Sequence, residues 1–470
     1  MRKNIRTLFL ISACALSLGA CKTARDPEMP TAPVGFEQTD LTALGNERFQ
    51  ASKPVKAWWR MLEDEHLDFL VVWALSHNKD VGIAKANLWE ARGYAREQGY
   101  DRFPSITADG SYQRNYASEE TGVPVIDRST SSYSTGLGAS WELDLFGRVA
   151  ARVEGAQARE YASLSDLRGV YVAVAAEVAS SYVGLRGAQY RLSIAKRNAD
   201  NQKETYELTK RLTEGGRGTQ LDVSRALTQL ELTHSTVPAL EAAVTAYINR
   251  LSVLTGQVPD ALRENLNVVA PLPSIPVTVN LGNVSSILCR RPDIAAAKHN
   301  FEAATADYDV ASANQFPIVN IIGSLGFVAT NMSSFGTSAL AASVGPSVSW
   351  SAFDLGRVRA QIDQADARAH RALVVYEKSV LEALEELQTA VSDFSKEEER
   401  RGFLQKAARS SKESATLARQ RYEAGVDTFL DVLNAEATLL EAEDQLAQSE
   451  INAALDLISV YKALGGGWQG

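Results

Sequence analysis

The residues able to do chemistry are few and dispersed. Five histidines, His66, His77, His234, His299 and His370, show neither a His-Glu-x-x-His motif nor paired ligand spacing. Four methionines form no His/Met cluster, so nothing here points to metal handling. No phosphate-cradling or dinucleotide glycine motif is present; Gly-Gly-Arg-Gly at 215–218 and Gly-Gly-Gly at 465–467 read as turn and tail punctuation. Acid pairs such as Glu385–Glu386 fall in helical stretches, where they read as solvated faces. The expectation is a chain that is not an enzyme and has no cofactor. Three cysteines remain to be explained: Cys14, Cys21 and Cys289.

Two of these cysteines lie in a leader-like segment. Arg2, Lys3 and Arg6 precede the apolar run 8–20, which is too short to span a bilayer and has the shape of a signal peptide. It ends Leu-Gly-Ala-Cys at 18–21. This resembles the lipobox of bacterial lipoproteins, which implies lipidation of Cys21; the alternative is an ordinary small-residue cleavage site beside a chance cysteine. Lys22, where an Asp would retain a lipoprotein at the inner membrane, implies outer-membrane sorting. Removal of residues 1–20 would take the formal charge from −9 to −12, an acidic balance that argues against nucleic acid as a partner. Cys289 would then be the last thiol, so no intrachain disulfide is expected.

The elements that must position any function are written twice. Trp-Glu-Leu-Asp-Leu-Phe-Gly-Arg-Val at 141–149 returns as Trp-Ser-Ala-Phe-Asp-Leu-Gly-Arg-Val at 350–358, an offset of 209. Residues 75–104 align with 288–317 at an offset of 213, each ending in Phe-Pro; Leu-Asp-Val recurs at 221–223 and 430–432, again 209 apart. The order in each half is the same, which marks a duplication. Two copies are too few for a solenoid.

Between Phe-Pro and Gly-Arg-Val the pattern has period two. Tyr133, Thr135, Leu137, Ala139, Trp141 and Leu143 alternate with serine, glycine and Glu142, and Leu340, Ala342, Val344, Val348 and Trp350 alternate with small polar residues. Strands are expected at about 105–116, 132–144, 318–329 and 339–353. Their length suits tilted membrane strands, although a soluble sheet with one wet face has the same alternation. Trp141 and Trp350 close the second strand of each half, where aromatic residues fit a membrane interface. Four strands cannot close a barrel, whose smallest form has about eight, so copies of the chain would have to share one.

The rest reads as helix. Long helices are expected at about 147–214, 220–254, 356–424 and 428–464, with an interruption or bend at Pro238. A helix of 147–214 would be on the order of 100 Å long. Residues 428–449 carry two apolar stripes, as in a stave packed on both sides, or in an antiparallel coiled coil. Gly147 and Gly356 are expected to give a permissive backbone where strand passes into helix, with Asp144 or Asp354 as the cap. The division read from these marks is 1–20 signal peptide, 21–50 lipidated tether, 51–256 first repeat, 257–284 connector, 285–464 second repeat and 465–470 tail.

At this point the chain resembles the TolC-like outer-membrane efflux factors, lipoprotein branch. The resemblance rests on Leu-Gly-Ala-Cys at 18–21, Trp58-Trp59 with Leu67, Leu70, Ala74 and Asn78, both Phe-Pro sites, both Gly-Arg-Val sites, 421–436 and Tyr-Lys-Ala-Leu-Gly-Gly-Gly-Trp at 461–468. It implies a mixed α and β membrane protein: a homotrimer in which four strands per chain form a 12-stranded outer-membrane β-barrel continuous with a periplasmic α-helical barrel. It implies an equatorial region around 50–64, 257–284 and 400–410, a periplasmic adaptor protein and an inner-membrane resistance–nodulation–division (RND) transporter as partners, and contact with outer-membrane lipid. It also implies a gate at the helical tips, near 215–218 and 425. Tyr422, Asp431 and Asp222 match the pattern of acids and Tyr/Arg bonding there, and Leu430 matches an apolar constriction. Asn434 stands where an Asp is usual, and Asp427 where some members carry Arg, which puts that gate bond in doubt. Three copies of Asp431 near an axis would repel one another and bind cations. The function implied is passive export of small molecules; a duct for one-step protein secretion and a non-channel coiled-coil lipoprotein of the periplasm are the alternatives.

Overall fold

The computed structural model describes residues 49–50, 55–118, 120, 128–276, 278–281 and 290–468. Residues 1–20, Cys21, the tether up to 48 and Cys289 lie outside the described residues. In chain order the elements are β1 (Phe49–Gln50), a short 3-10 turn (Trp58–Leu62), α1 (Glu65–His77), α2 (Lys79–Tyr100), β2 (Ser105–Tyr116), β3 (Ser129–Leu143), α3 (Arg148–Glu214), α4 (Gln220–Leu254), α5 (Arg263–Leu266), β4 (Val279–Asn280), α6 (Pro292–Ala313), β5 (Ile318–Ala329), β6 (Leu340–Ser349), α7 (Leu355–Glu423) and α8 (Phe429–Ala463). The second strand of the first half starts three residues before its expected place, and β6 stops at Ser349, so Trp350 lies just past the strand. Helix α4 continues through Pro238, which has no amide to give to the carbonyl four residues back; the expected interruption is absent.

The chain divides into two compact units. One contains 87–164 and 296–377; the other contains 55–86, 165–295 and 378–468. The first unit carries an antiparallel sheet of order β2-β3-β5-β6. Directly paired residues share a face. One face therefore carries Ile106, Ala108, Tyr112, Leu137, Ala139, Trp141, Ile321, Leu325, Phe327, Leu340, Val344 and Val348. The other carries Ser105, Thr107, Asp109, Ser111, Ser132, Ser134, Ser140, Asn320, Ser324, Ser343 and Ser347, relieved by Ile318, Ile322 and Val328. The alternation is thus coherent across four strands.

The two offsets of the duplication have a structural meaning. Trp141 Nε1 donates to the Arg102 carbonyl at 3.1 Å, and Trp350 Nε1 donates to the Gln315 carbonyl at 3.0 Å. Each tryptophan is therefore stapled to the residue just before its own Phe-Pro. Ser111 and Ser134 hydroxyls bond at 2.7 Å, and Ser324 and Ser343 at 2.8 Å. In both cases one partner repeats at 213 and the other at 209.

The two strand-to-helix junctions are not built alike. Gly147 has φ +78°, a left-handed conformation, and the Asp144 carboxylate reaches past it to accept from the amides of Val149 (3.0 Å) and Ala150 (2.8 Å). Gly356 lies inside the first turn of α7 with nothing near its Cβ position, so the expected special backbone role falls on Gly147 alone. The reason is a one-residue slip: Asp144 precedes its glycine by three residues and Asp354 by two. Asp354 flanks the helix directly and pairs with Arg357 at 2.7 Å. Gly147→Val is expected to lower stability by about 1–2 kcal/mol, whereas Gly356→Ala should be neutral or slightly stabilising; thermal unfolding of the two variants measures the contrast.

In the second unit the two ends of the described chain pack together. Trp58 is fully buried and stacks on Tyr461 with ring centroids 5.3 Å apart. Trp59 Nε1 donates to Asp68 at 2.8 Å, and the Tyr182 hydroxyl donates to Asp64 at 2.8 Å. Gly465 and Gly467 take positive φ, and the tail they form delivers Trp468, whose Nε1 donates to the Arg290 carbonyl at 3.1 Å while Arg168 lies over its ring. Strand β1 pairs with β4, and Ser274 N donates to the Leu62 carbonyl, so segments 50–64 and 257–284 meet.

Candidate functional site

In the second unit, α3 turns into α4 and α7 turns into α8 through loops of the same construction. Gly216 (φ +74°) and Gly425 (φ +75°) end the incoming helices. Arg217 N donates back to the Leu212 carbonyl and Val426 N to the Arg421 carbonyl, the bonding of a left-handed helix stop. The outgoing helices begin with reciprocal capping boxes. Asp222 Oδ2 accepts from Thr219 N (3.2 Å) and Oγ1 (2.6 Å), and Asp431 Oδ2 accepts from Thr428 N (3.1 Å) and Oγ1 (2.6 Å). One Asp431 carboxylate oxygen is thus held by the cap, where its charge also suits the helix N-terminus. Asp222 has the same job in the first loop.

The Tyr422 side chain is buried and packs with Ala226, Phe429 and Val432, with its ring 5.8 Å from that of Phe429. This cluster joins the two hairpins, since Ala226 lies on α4 and Tyr206, Leu208 and Leu212 on α3 pack against it. Asp427 has a partner within its own loop. Arg421 makes a two-pronged ion pair with Asp427 at 2.7 and 2.8 Å, and these hydrogen bonds hold the Asp427 carboxyl below its usual range. Leu430, 46% exposed, and Asn434 lie one turn apart on the outward face of α8, beside Asp431.

Sequence reading missed a polar seam above the tips. Arg419 Nη2 donates to Glu436 Oε1 (3.1 Å) and to the Asn201 carbonyl (2.9 Å), and Thr205 Oγ1 donates to the same Glu436 oxygen (2.8 Å). Arg191 clasps Asp444 at 2.9 and 3.1 Å, and Arg197 meets Glu443 at 2.7 Å. These pairs zip α3 to α7 and α8. Their only sequence signal is long polar residues set among buried threonines, Thr205 and Thr209, where a leucine would continue the stripe.

Further along α8, Asp456 has its carboxyl pushed up to about 6 by burial and by the acids Asp393 and Glu397. Because the folded state holds this proton more tightly than the unfolded chain, wild type loses stability as pH rises from about 4 to 6, then levels off. Asp456→Asn should be indistinguishable from wild type near pH 4 and more stable above pH 6, as read by unfolding temperature at several pH values.

Among the described residues no helix is long and apolar enough to cross a membrane. A two-faced sheet followed by capped helical hairpins is the arrangement of an outer-membrane channel protein. The family model described as "Outer membrane efflux protein" matches 70–257 and 283–466, one segment in each repeat, and the chain belongs to this family. It is 32% identical to outer membrane protein OprJ of Pseudomonas aeruginosa over 97% of this chain and 94% of that one. It is 28% identical to the cation efflux system protein CusC of Escherichia coli, covering 97% of each. Among solved structures, the outer-membrane channel OprN superposes with TM-score 0.89 at 39% identity, covering 96% of this chain and 100% of that one.

Proposed function

We propose that this outer-membrane efflux protein is the duct of a tripartite pump, passively carrying small molecules from the periplasm to the exterior. The observation that carries this is the sheet: one face apolar, one polar, and two open edges, β2 and β6. Unpaired edges are not tolerated in lipid, and closure by neighbouring copies removes them. Three chains with four strands each give a 12-stranded barrel with a serine-lined lumen. The hairpin tips, with Leu430, Asp431 and Asn434 outward, form the periplasmic gate, while Asp222 and Asp427 hold the loops in shape. A lipid on Cys21, an adaptor at the tips and an RND transporter complete the assembly. The cargo is set by the transporter, as relatives named for toluene, antibiotic and cation efflux indicate a generic duct.

Native mass in mild detergent tests the assembly. Three chains per particle, together with discrete conductance steps in a planar bilayer, are expected. A monomer released without detergent would sink the reading in favour of a periplasmic coiled-coil lipoprotein.

A further inference from the structure

The four membrane-type strands contain one cation, Arg114, and two acids, Asp109 and Glu142. Pairing register puts both acids on the polar face and Arg114 on the apolar face, opposite Ser131 and next in its column to the Tyr112–Tyr133 pair. A cation on a lipid-facing surface is tolerated near an interface and not at mid-depth. Its position fits that rule. Ser105 lies level with the Trp141 end of the sheet, and Arg114 is nine residues further along β2. That is about 30 Å of strand, or about 23 Å of depth at the tilt such strands adopt, against an apolar band of about 25 Å. Arg114 therefore stands one band away from the tryptophan rim.

It does not stand alone. Tyr112 and Tyr133 have ring centroids 4.7 Å apart, and Arg128, just before β3, holds its guanidinium over the Tyr116 ring at 5.5 Å. Arg114 Nε donates to the neutral Ser129 hydroxyl at 3.1 Å. The tyrosine rings beside the outer pair are open, Tyr112 56% and Tyr116 74% exposed.

We propose that Arg114 and Arg128, with Tyr112, Tyr116 and Tyr133, form a binding site for phosphorylated glycolipid of the outer leaflet. The inference rests on the membrane reading of the sheet given above. Guanidinium groups bind phosphate through paired N–H donors, and exposed tyrosine rings offer flat faces to a sugar. A phosphorylated sugar headgroup combines both needs at this depth, whereas a simple phospholipid meets only the first. The site would anchor the barrel in its leaflet and fix its height.

The test compares wild type, Arg114→Gln/Arg128→Gln and Arg114→Lys/Arg128→Lys, each purified from outer membranes in mild detergent. Glycolipid retained per chain is measured by mass spectrometry, and each protein is assayed for conductance. The Gln pair should conduct normally but retain about tenfold less glycolipid, and the Lys pair should keep most of it. Reconstitution into phosphatidylcholine vesicles doped with either lipopolysaccharide or phosphatidylglycerol separates the phosphate sources; preference for lipopolysaccharide is expected in wild type and should vanish in the Gln pair. Equal glycolipid retention by all three conducting proteins, or equal retention of both doped lipids by wild type, would overturn the site while leaving the channel intact. Absence of conductance in wild type would remove the membrane reading first.

Discussion

Arg419→Ala is expected to leave the hairpin tips unlatched. Arg419 is 28% exposed and Glu436 13% exposed at their side chains, so the carboxylate is partly desolvated and relies on this guanidinium. Removing the cation leaves Glu436 with Thr205 and takes away the bond to the Asn201 carbonyl, which ties α7 to α3. Losing a charge-assisted bond and leaving its partner half-buried costs about 2 kcal/mol, or a roughly 30-fold shift between closed and open tips in each chain. Higher single-channel conductance, and greater sensitivity of cells to a large antibiotic that the outer membrane normally excludes, are the readouts. Glu436→Gln keeps the shape but not the charge and should give a smaller shift in the same direction. Unchanged conductance in Arg419→Ala would place the latch elsewhere.

Trp58→Ala is the other large effect. The indole is 1% exposed, lies against Trp59 and Tyr461, and borders the backbone of Gly466 and Gly467. Deleting a buried aromatic ring of this size costs about 3–5 kcal/mol. The loss should appear as a lower unfolding temperature and as faster proteolysis near the tail, since Trp468 is delivered by the glycines that pack on Trp58. Trp58→Phe, which retains a ring for Tyr461, should recover most of it.

Much of the fold is legible from the sequence because its signals are periodic. Alternation at 132–143 has no other simple explanation than a strand, and a long Ala-rich run without proline is a helix. The partnership between each Phe-Pro and its tryptophan was not legible. Both marks are visible, but the bond from Trp141 to the carbonyl of Arg102 is a long-range contact to backbone, and a carbonyl has no residue type. The same limit governs the tips. Thr219 and Asp222 spell a capping box, but the backbone amides that close it carry no residue type. The packing of Tyr422 was not legible either: Ala226 and Phe429, which bury its ring, lie on other elements of the chain. Gly147 and Gly356 look equivalent in alignment, and only the one-residue displacement of the preceding Asp separates a strained turn from an ordinary helical position.

The contact between Trp58 and Tyr461 also sets a timetable. Its partners are separated by about 400 residues, so closing it comes late among folding events and carries a large loop entropy. Gly466 and Gly467 lie against the same indole, so the tail docks together with that late contact and not ahead of it.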